Sequence, residues 1–349
     1  MMKEIKIISY QPEYYDRLYS YMKEKWPGQS KEYLNYRLKT IVEDNKDLQY
    51  NLLILNEKGE IVGCNLFFPT KALIRGKEHR VYWSHDTILD KEYRGDGGLM
   101  FMLKLQSQPH FGMGLSTLNR KIQQALKTTF FREMVIYYRL NFFFIASIFQ
   151  YGTKKRAVLN PFFHPLEVKM GKKRFLEVKD IASLKIPNKG YWCQGDVDID
   201  FIRDYIFLSK RFICNFNEYY IYRLSTQKEY DSCYMVVRPV LKKKIPMLSI
   251  VDFRYDLKSP EQFLLILKAA NRIAKVNKIG IVLCLCNIGY GKQIIKFPKI
   301  SIVSLFPLLL KRNKGVDYVA SYSSLFQQSA SSLVTSADSD ADFLCQRIN

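Results

Sequence analysis

Apolar and polar residues alternate in short blocks through the first ninety residues, and the period of the alternation changes several times. Runs of β-branched and aromatic residues predict strands, and apolar residues three or four apart predict amphipathic helices. The predicted elements are a strand at 5–10, a helix from Pro12, a helix at 30–44 capped by Ser30, a hairpin at 50–70 that turns at 57–59, and a strand that follows a turn at 75–80 and ends at Asp90. This order favours an α/β unit.

A glycine-rich turn follows the last of these strands. The stretch EYRGDGGLMFMLKLQ begins at Glu92 and contains three glycines, Gly95, Gly97 and Gly98. An apolar block at 99–105 comes next and predicts a buried helix. Free backbone N–H groups at such a strand-to-helix junction can hold an anion, and glycine lets the ligand approach the backbone. The elements predicted after it are a strand at 110–117 and an amphipathic helix at 119–131.

One heptapeptide pattern occurs twice in the chain. EYLNYRL at 32–38 matches EYYIYRL at 218–224 in five of seven positions. Each copy precedes strand-like segments, a helix and a further strand. In the second copy these elements are predicted at 233–241, 246–256, 260–278 and 280–287. Because 349 residues suit two domains, the pattern predicts a duplication with domains at 1–168 and 169–349.

The net charge indicates which binding partners suit the chain, and the cysteine content indicates its cellular compartment. The formal net charge is +21, which favours anionic partners such as nucleotides, CoA, nucleic acid or an acidic membrane surface. The seven cysteines lack a metal-site or disulfide rhythm, so we expect reduced thiols in a cytoplasmic protein. The longest apolar stretch, 134–151, is interrupted by Arg139 and Asn141 and is short for a membrane span, which leaves peripheral contact with a bilayer open.

The C-terminal region carries two further patterns. The serine-rich stretch 321–336 predicts either a frayed tail or an edge strand that closes a second sheet, and its composition favours the tail. Asp338, Asp340 and Asp342 resemble the start of a calcium loop, but Phe343 stands where that loop requires glycine. No metal site is therefore predicted.

The glycine turn resembles the signature of the GCN5-related N-acetyltransferase (GNAT) superfamily, R/Q-x-x-G-x-G/A at a strand-to-helix junction. Arg94 and Gly97 match the signature, whereas Leu99 stands at its final small position. The resemblance implies an α/β fold with two GNAT-like domains in tandem, each a mixed, mostly antiparallel sheet flanked by helices. It also implies an acyl-CoA site in the first domain and a degenerate second domain.

The resemblance implies how acyl-CoA, as a cosubstrate, would bind. Backbone N–H groups of the junction would hold the pyrophosphate, and the backbone of the preceding strand would face the pantetheine arm. Leu126 occupies the place of the tyrosine that usually protonates the leaving thiolate, so Tyr137 and Tyr138 are the alternative acids. The implied cofactor-binding residues are Thr87, Leu89, Arg94, Gly95, Asp96, Gly97, Gly98, Leu99 and Asn119.

Acyl transfer to an amine needs a base beside that amine. In the GNAT superfamily this base commonly lies on the strand before the glycine turn, where this chain has His85 and Asp86. Alternation of side chains predicts that the two point to opposite faces of the sheet. Asp86 is the first choice for the base, because Asp252 takes the equivalent place in the second half, and His85 is the second choice.

The resemblance therefore implies an acyl-CoA-dependent N-acyltransferase that transfers an acetyl group to a small-molecule amine, such as an amino sugar nucleotide. Two alternatives remain: a peptidoglycan-bridge type transferase that uses aminoacyl-tRNA, and a non-catalytic binding module. Duplicated folds of this kind are similar to mycothiol synthases and N-myristoyltransferases. The tail at 333–343 resembles the end of tandem acyltransferases encoded with bacterial surface-polysaccharide enzymes.

Overall fold

The computed structural model describes most of both halves of the chain. The described residues are 4–95, 98, 100, 104, 111–113, 130–144, 163–165, 167–171, 173–193, 197–213, 217–225, 233–242, 245–259, 261–288, 309–312, 318–321, 323–327, 330–338 and 346–347.

Strands dominate the described part of the chain. In chain order they are β1 (Ile5–Ser9), β2 (Leu52–Asn56), β3 (Ile61–Ile74), β4 (Lys77–Leu89), β5 (Phe111–Met113), β6 (Phe130–Glu133), β7 (Val135–Leu140), β8 (Val168–Met170), β9 (Lys173–Glu177), β10 (Ile199–Phe201), β11 (Tyr220–Leu224), β12 (Cys233–Lys242), β13 (Ile245–Tyr255), β14 (Ile281–Ile288), β15 (Leu309–Arg312), β16 (Tyr318–Ser321), β17 (Leu333–Thr335) and β18 (Gln346–Arg347).

The helices are fewer and mostly short. The α-helices are α1 (Tyr15–Lys25), α2 (Lys31–Asn35), α3 (Asn45–Leu48), α4 (Tyr205–Phe212) and α5 (Glu261–Val276), and a π-helix (Tyr36–Thr40) continues α2. Short 3-10 helices are formed by Pro12–Tyr14, Lys91–Tyr93, Ile181–Ser183, Asn188–Gly190 and Ser336–Asp338. Among the described residues, no helix combines the length and the apolar character that crossing a bilayer requires.

The elements predicted up to Asp90 and from 233 to 288 are confirmed to within a few residues, although the helix predicted at 30–44 is α2 followed by the π-helix. Ser30 caps α2, since its Oγ accepts a hydrogen bond from Tyr33 N at 3.2 Å. The helix predicted at 119–131 is wrong over its last two residues, which begin β6. The rest of that helix lies outside the described residues.

The strands form two sheets. The first has the order β1-β2-β3-β4-β5-β16-β6, and β10 pairs with one end of β3. The second has the order β15-β7-β14-β13-β12-β11-β9-β8, with β17 on β14 and β18 on β12. The predicted fold class is confirmed: both sheets are mixed, mostly antiparallel and flanked by helices.

The two sheets repeat one arrangement and exchange a strand. Each contains a parallel pair, β4–β5 in the first and β13–β14 in the second. The strand beside each pair comes from the other half of the chain, because β16 lies beside β5 and β7 lies beside β14. On its other side β16 pairs with β6, which belongs to the first half like β4 and β5. In the same way β7 pairs with β15, which belongs to the second half like β13 and β14. The domain boundary at 168/169 stays a prediction, and the exchanged strands cross it.

The heptapeptide match is not the structural repeat. Residues 32–38 lie in α2 and the π-helix, whereas Tyr220–Leu224 of the second copy forms β11. Similar letters adopt different structures because α2 packs on a sheet face and β11 is hydrogen-bonded within a sheet between β9 and β12. The duplication is visible in the strand order and, below, in a different residue spacing.

Helices pack on both sheets. Buried side chains of α1, α2 and the π-helix, such as Leu18 and Leu34, pack on Leu53 and Leu66 of the first sheet. In the second sheet the long helix α5 follows β13 and buries Phe263 against Phe253 and Tyr255. Apolar burial of this kind is the main favourable term that holds each layer together.

Gly63 is expected to be essential for the close packing of β2, β3 and β4. A Cβ at this position would lie 2.6 Å from Ile54 Cδ1, 2.8 Å from Ile88 O and 2.9 Å from Leu89 Cδ1. Gly63→Ala should therefore lower the free energy of unfolding by about 1–3 kcal/mol in urea denaturation, because the backbone oxygen cannot move away cheaply. Gly28→Ala is the control, since no heavy atom lies within 4 Å of that Cβ. Equal stability of the two variants would contradict this account.

Candidate active site

A β-bulge interrupts β4 shortly before the glycine turn. Leu66 of β3 pairs with His85 and Cys64 pairs with Ile88, so Asn65 alone faces Asp86 and Thr87. Asp86 has a φ of 49°, in the left-handed region that a residue with a short polar side chain tolerates best after glycine. The extra residue shifts the alternation of side chains by one position.

The bulge places His85 and Asp86 on the same face of the sheet, so the prediction of opposite faces is wrong. Asp86 contacts Tyr33 and Arg37 of the helical layer. His85 packs edge-on against the ring of Phe68, with ring centroids 6.1 Å apart, and the Arg37 guanidinium lies 5.9 Å from that same ring. Simple alternation fails here because one residue is inserted into the strand.

Asp86 is held in a buried ion pair. Arg37 Nε donates to Asp86 Oδ2 at 3.1 Å, and Tyr33 Oη lies 2.9 Å from both carboxylate oxygens. Arg37 is fully buried, and Asp86 is 9% exposed. A buried carboxylate that is bound by a guanidinium and a hydroxyl donor is held in a fixed orientation.

The second half contains the same pair. Arg203 Nε donates to Asp252 Oδ2 at 3.0 Å, and Tyr234 Oη donates to the same oxygen at 2.6 Å. Arg203 and Asp252 lie 166 positions after Arg37 and Asp86, respectively. The register of β13 shifts beside Asp252, between its pairs with Val236 and Val237, as the register of β4 does beside Asp86. The prediction that Asp252 is the equivalent of Asp86 therefore agrees with the geometry.

Arginine keeps the second carboxylate ionised. Burial alone would raise the pKa of Asp252, but the guanidinium groups of Arg203 and Arg254 lower it below its ordinary value. Burial and the neighbouring Asp252 charge raise the pKa of the Tyr234 hydroxyl, which therefore stays protonated and donates to the carboxylate.

Phe68 marks the contact between the two halves beside this site. Its ring meets Phe207 of α4 at 6.3 Å between centroids, and the guanidinium of Arg211 lies 5.7 Å from it. A small cavity of about 30 Å³ opens beside the two rings. Its lining combines apolar side chains with charges, and includes Ile41, Phe68, Phe207, Lys71, Arg80 and Lys210.

The opposite face of the bulge carries a polar cluster that the sequence did not reveal. Asn65 Nδ2 donates to Ser84 Oγ and to Thr87 Oγ1, and the two hydroxyl oxygens lie 3.2 Å apart. Asn65 is fully buried, and its Oδ1 has no hydrogen-bond partner in the described part of the structure. The available signal was an asparagine inside the apolar run of β3, which a buried strand rarely contains without a partner.

The parallel pair β4–β5 is described up to this bulge. Its last described pair is Ser84 with Met113, β4 continues to Leu89, and residues 114–129 lie outside the described residues. The predicted pantetheine-facing residues, Thr87 and Leu89, belong to the section of β4 that follows the bulge.

Arg94 links the turn after β4 to the end of that strand. Arg94 Nε donates to Leu89 O at 2.8 Å, so its side chain folds back onto the strand end. Gly98 N donates to Gly95 O at 3.1 Å, and Gly98 and Met100 are helical. The other predicted residues of the turn and the next helix, Asp96, Gly97, Leu99, Asn119 and Leu126, lie outside the described residues.

The alternative acids lie elsewhere. Tyr137 and Tyr138 belong to β7, the strand that joins the second sheet. Tyr137 is buried against Phe263 of α5, with ring centroids 5.5 Å apart, and burial raises the pKa of its hydroxyl. The structure therefore does not bring Tyr137 to the end of β4.

Comparisons with protein-family models and with curated proteins find no match. Solved structures do share the fold. A probable N-acyltransferase from Enterococcus faecalis is 9% identical, with a TM-score of 0.56 over 92% of this chain and 73% of its own. Saccharomyces cerevisiae N-myristoyltransferase with bound myristoyl-CoA is 11% identical, with a TM-score of 0.51 over 82% and 77%.

A GCN5-related N-acetyltransferase from Anabaena variabilis also matches, at 12% identity and a TM-score of 0.51 over 91% of this chain and 72% of its own. These likenesses cover most of the chain, so its fold is GNAT-like, as the sequence resemblance implied.

The ion pair of Arg37 with Asp86 is expected to be costly to break from one side. Arg37→Met should lower the free energy of unfolding by about 3–5 kcal/mol, because it leaves a buried carboxylate without its cation. Arg37→Met combined with Asp86→Leu should lose much less than the two single variants together. Urea denaturation of the four proteins tests this, and additive losses would show that the two side chains do not depend on each other.

Proposed function

We propose that this chain is an acyl-CoA-dependent N-acyltransferase whose first half binds the thioester. The observation that carries the proposal is the glycine-rich turn directly after β4, where Arg94 binds Leu89 O, in a chain with a GNAT-like fold. The bulged end of β4 leads straight into this turn. A diphosphate suits backbone N–H groups at such a turn, and an extended amide-containing arm can pair with the strand backbone beside it.

The chain's own residues fit this cosubstrate. The sequence places three glycines and Arg94 directly after β4, and Arg94 binds the end of β4 through Leu89 O. The net charge of +21 attracts a phosphorylated ligand. We propose that the backbone of residues 94–99 holds the pyrophosphate, that Thr87 and Leu89 face pantetheine, and that Asn119 lies on the next helix near it. An acetyl group is the proposed acyl chain.

The proposed reaction is direct attack of a neutral amine on the thioester carbonyl. The amine nitrogen bonds to the carbonyl carbon, the bond from that carbon to sulfur breaks, and the amine proton leaves to a base. Backbone N–H groups of β4 stabilise the oxyanion. Because Asp86 is compensated by Arg37, and Asp252 is held the same way in the half without the glycine turn, we assign the proton to His85 and a positioning role to Asp86.

We propose that the acceptor enters where the two halves meet. The contact between Phe68 and Phe207 lies on the face of the sheet that carries His85, and Lys71, Arg80 and Lys210 surround the cavity beside it. Glu43 and Asp204 also line this cavity, and Glu43 pairs with Arg80 and Lys210. The net charge of +21 is therefore what favours an amine that also carries an anionic group, such as an amino sugar nucleotide.

Aminoacyl-tRNA is the second candidate donor, and the +21 charge is the observation that favours it. A tRNA complex held by several phosphate contacts should weaken by orders of magnitude between low and moderate salt. Tight, salt-sensitive tRNA binding without any CoA binding would favour this donor.

Acyl-CoA binding is expected to depend on the glycine turn. Calorimetric titration of acetyl-CoA, longer acyl-CoAs and desulfo-CoA should give micromolar binding, and Gly97→Glu should weaken it by about 100-fold or more, equivalent to about 2.7 kcal/mol. A side chain and a negative charge at the turn would oppose a diphosphate. Gly28→Glu makes the same change at an exposed turn and should not alter the affinity. Binding of no CoA species would refute the proposed function.

His85 is expected to affect turnover without affecting cosubstrate binding. His85→Gln should lower kcat for acyl transfer by about 100-fold or more, the usual contribution of a general base. The Kd of acetyl-CoA should stay unchanged. The assay follows release of the free CoA thiol with an amine found by screening amino sugar nucleotides. His79→Gln, at the opposite end of β4, is the control, and an unchanged kcat in His85→Gln would remove His85 from the mechanism.

A further inference from the structure

The second half contains a cleft at the place that corresponds to the proposed acyl-CoA site. Its parallel pairing ends at Ile250 with Cys284, while β13 runs on to Tyr255 and β14 to Ile288, so the two strands separate. The corresponding section of β4 runs from Ser84 to Leu89, and both positions are shifted by 166 residues, the spacing that also relates the two buried ion pairs.

A short segment of the chain lies in this second cleft. Cys286 of β14 pairs with Val135 of β7 on one edge and with Thr335 of β17 on the other. β17 therefore pairs with the same edge of β14 that pairs with β13 earlier along β14. The strand β17 begins to pair two residues after the last β13 partner, Cys284, and it continues to Ile288.

Side chains of the same segment reach β13 and the ion pair beneath it. Thr335 Oγ1 donates to Asp252 Oδ1, and Asp338 Oδ1 accepts from Arg203 Nη2 at 2.6 Å. Ser336 Oγ donates to Leu285 O at 3.3 Å. Residues 332–338 are all buried, so the favoured prediction of a frayed tail is wrong for this part of 321–336. Leu333–Thr335 instead form a strand of the second sheet, in agreement with the alternative prediction.

We propose that residues 333–338 occupy the ligand cleft of the second half as a built-in substitute for an extended ligand arm. The segment supplies backbone pairing to the open edge of β14 and polar partners to the Asp252 site. One consequence of this inference rests on the proposed function: the chain binds one acyl-CoA, in its first half. The second half then supports the site structurally and does not turn over a thioester.

Hydrogen exchange of the intact protein, followed by mass spectrometry, tests this occupancy. Peptides that cover 330–338 should exchange as slowly as those that cover β14. Added acetyl-CoA should slow exchange in β4 and leave β13 and β14 unchanged, with a binding stoichiometry of one. Exchange of 330–338 at the rate of an unstructured peptide, or protection of β13 and β14 by acetyl-CoA, would overturn the proposal.

A conservative variant sharpens the test. Thr335→Val keeps the side-chain shape but removes the hydroxyl donor to Asp252, and should speed exchange of 333–338 by roughly 10- to 100-fold. Thr70→Val is the matched control, because Thr70 is also buried but its hydroxyl has no hydrogen-bond partner in the described structure. Equal effects of the two variants on 333–338 would overturn the proposal. If acetyl-CoA protects no segment, the proposed function fails, while slow exchange of 330–338 still supports the occupied cleft.

Discussion

Backbone pairing at an opened pair of parallel strands is the constraint on which the rest of this structure depends. A strand that loses its neighbour partway along exposes N–H and C=O groups that need other partners. In the second half β14 finds those partners in β17 where it leaves β13. In the first half the corresponding end of β4 leads into the glycine turn, where we propose that acyl-CoA binds. On this proposal the same position is filled by the chain itself in one half and by a ligand in the other.

The buried ion pairs place charge where a core would otherwise be apolar. Arg37 with Asp86, and Arg203 with Asp252, sit beside a bulge in the central strand of each half. Desolvating such groups is expensive, so each carboxylate is also bound by a tyrosine hydroxyl. These ion pairs fix helical or loop segments against the bulge. They also hold the residue beside the carboxylate, which is His85 in the first half, at a defined position.

Local pattern predicted most strands and helices, because strand period, the Ser30 cap and the glycine turn are encoded by neighbouring residues. It could not reveal the bulge, since an inserted residue has no signature in apolar alternation, and so it misplaced His85 relative to Asp86. The polar cluster of Asn65, Ser84 and Thr87 and the role of 333–338 were missed for the same reason. Both depend on pairing between strands far apart in sequence, and the heptapeptide match drew attention to the wrong spacing.

The strand exchange constrains the order in which the chain can fold during synthesis. The first sheet needs β16, which is made about 200 residues after β5, and the second sheet needs β7 from the first half. At about 5–20 residues per second, β5 must wait on the order of ten seconds or more for its neighbour. The nascent chain therefore cannot complete its first sheet before strands β8 to β15 of the later chain have been made.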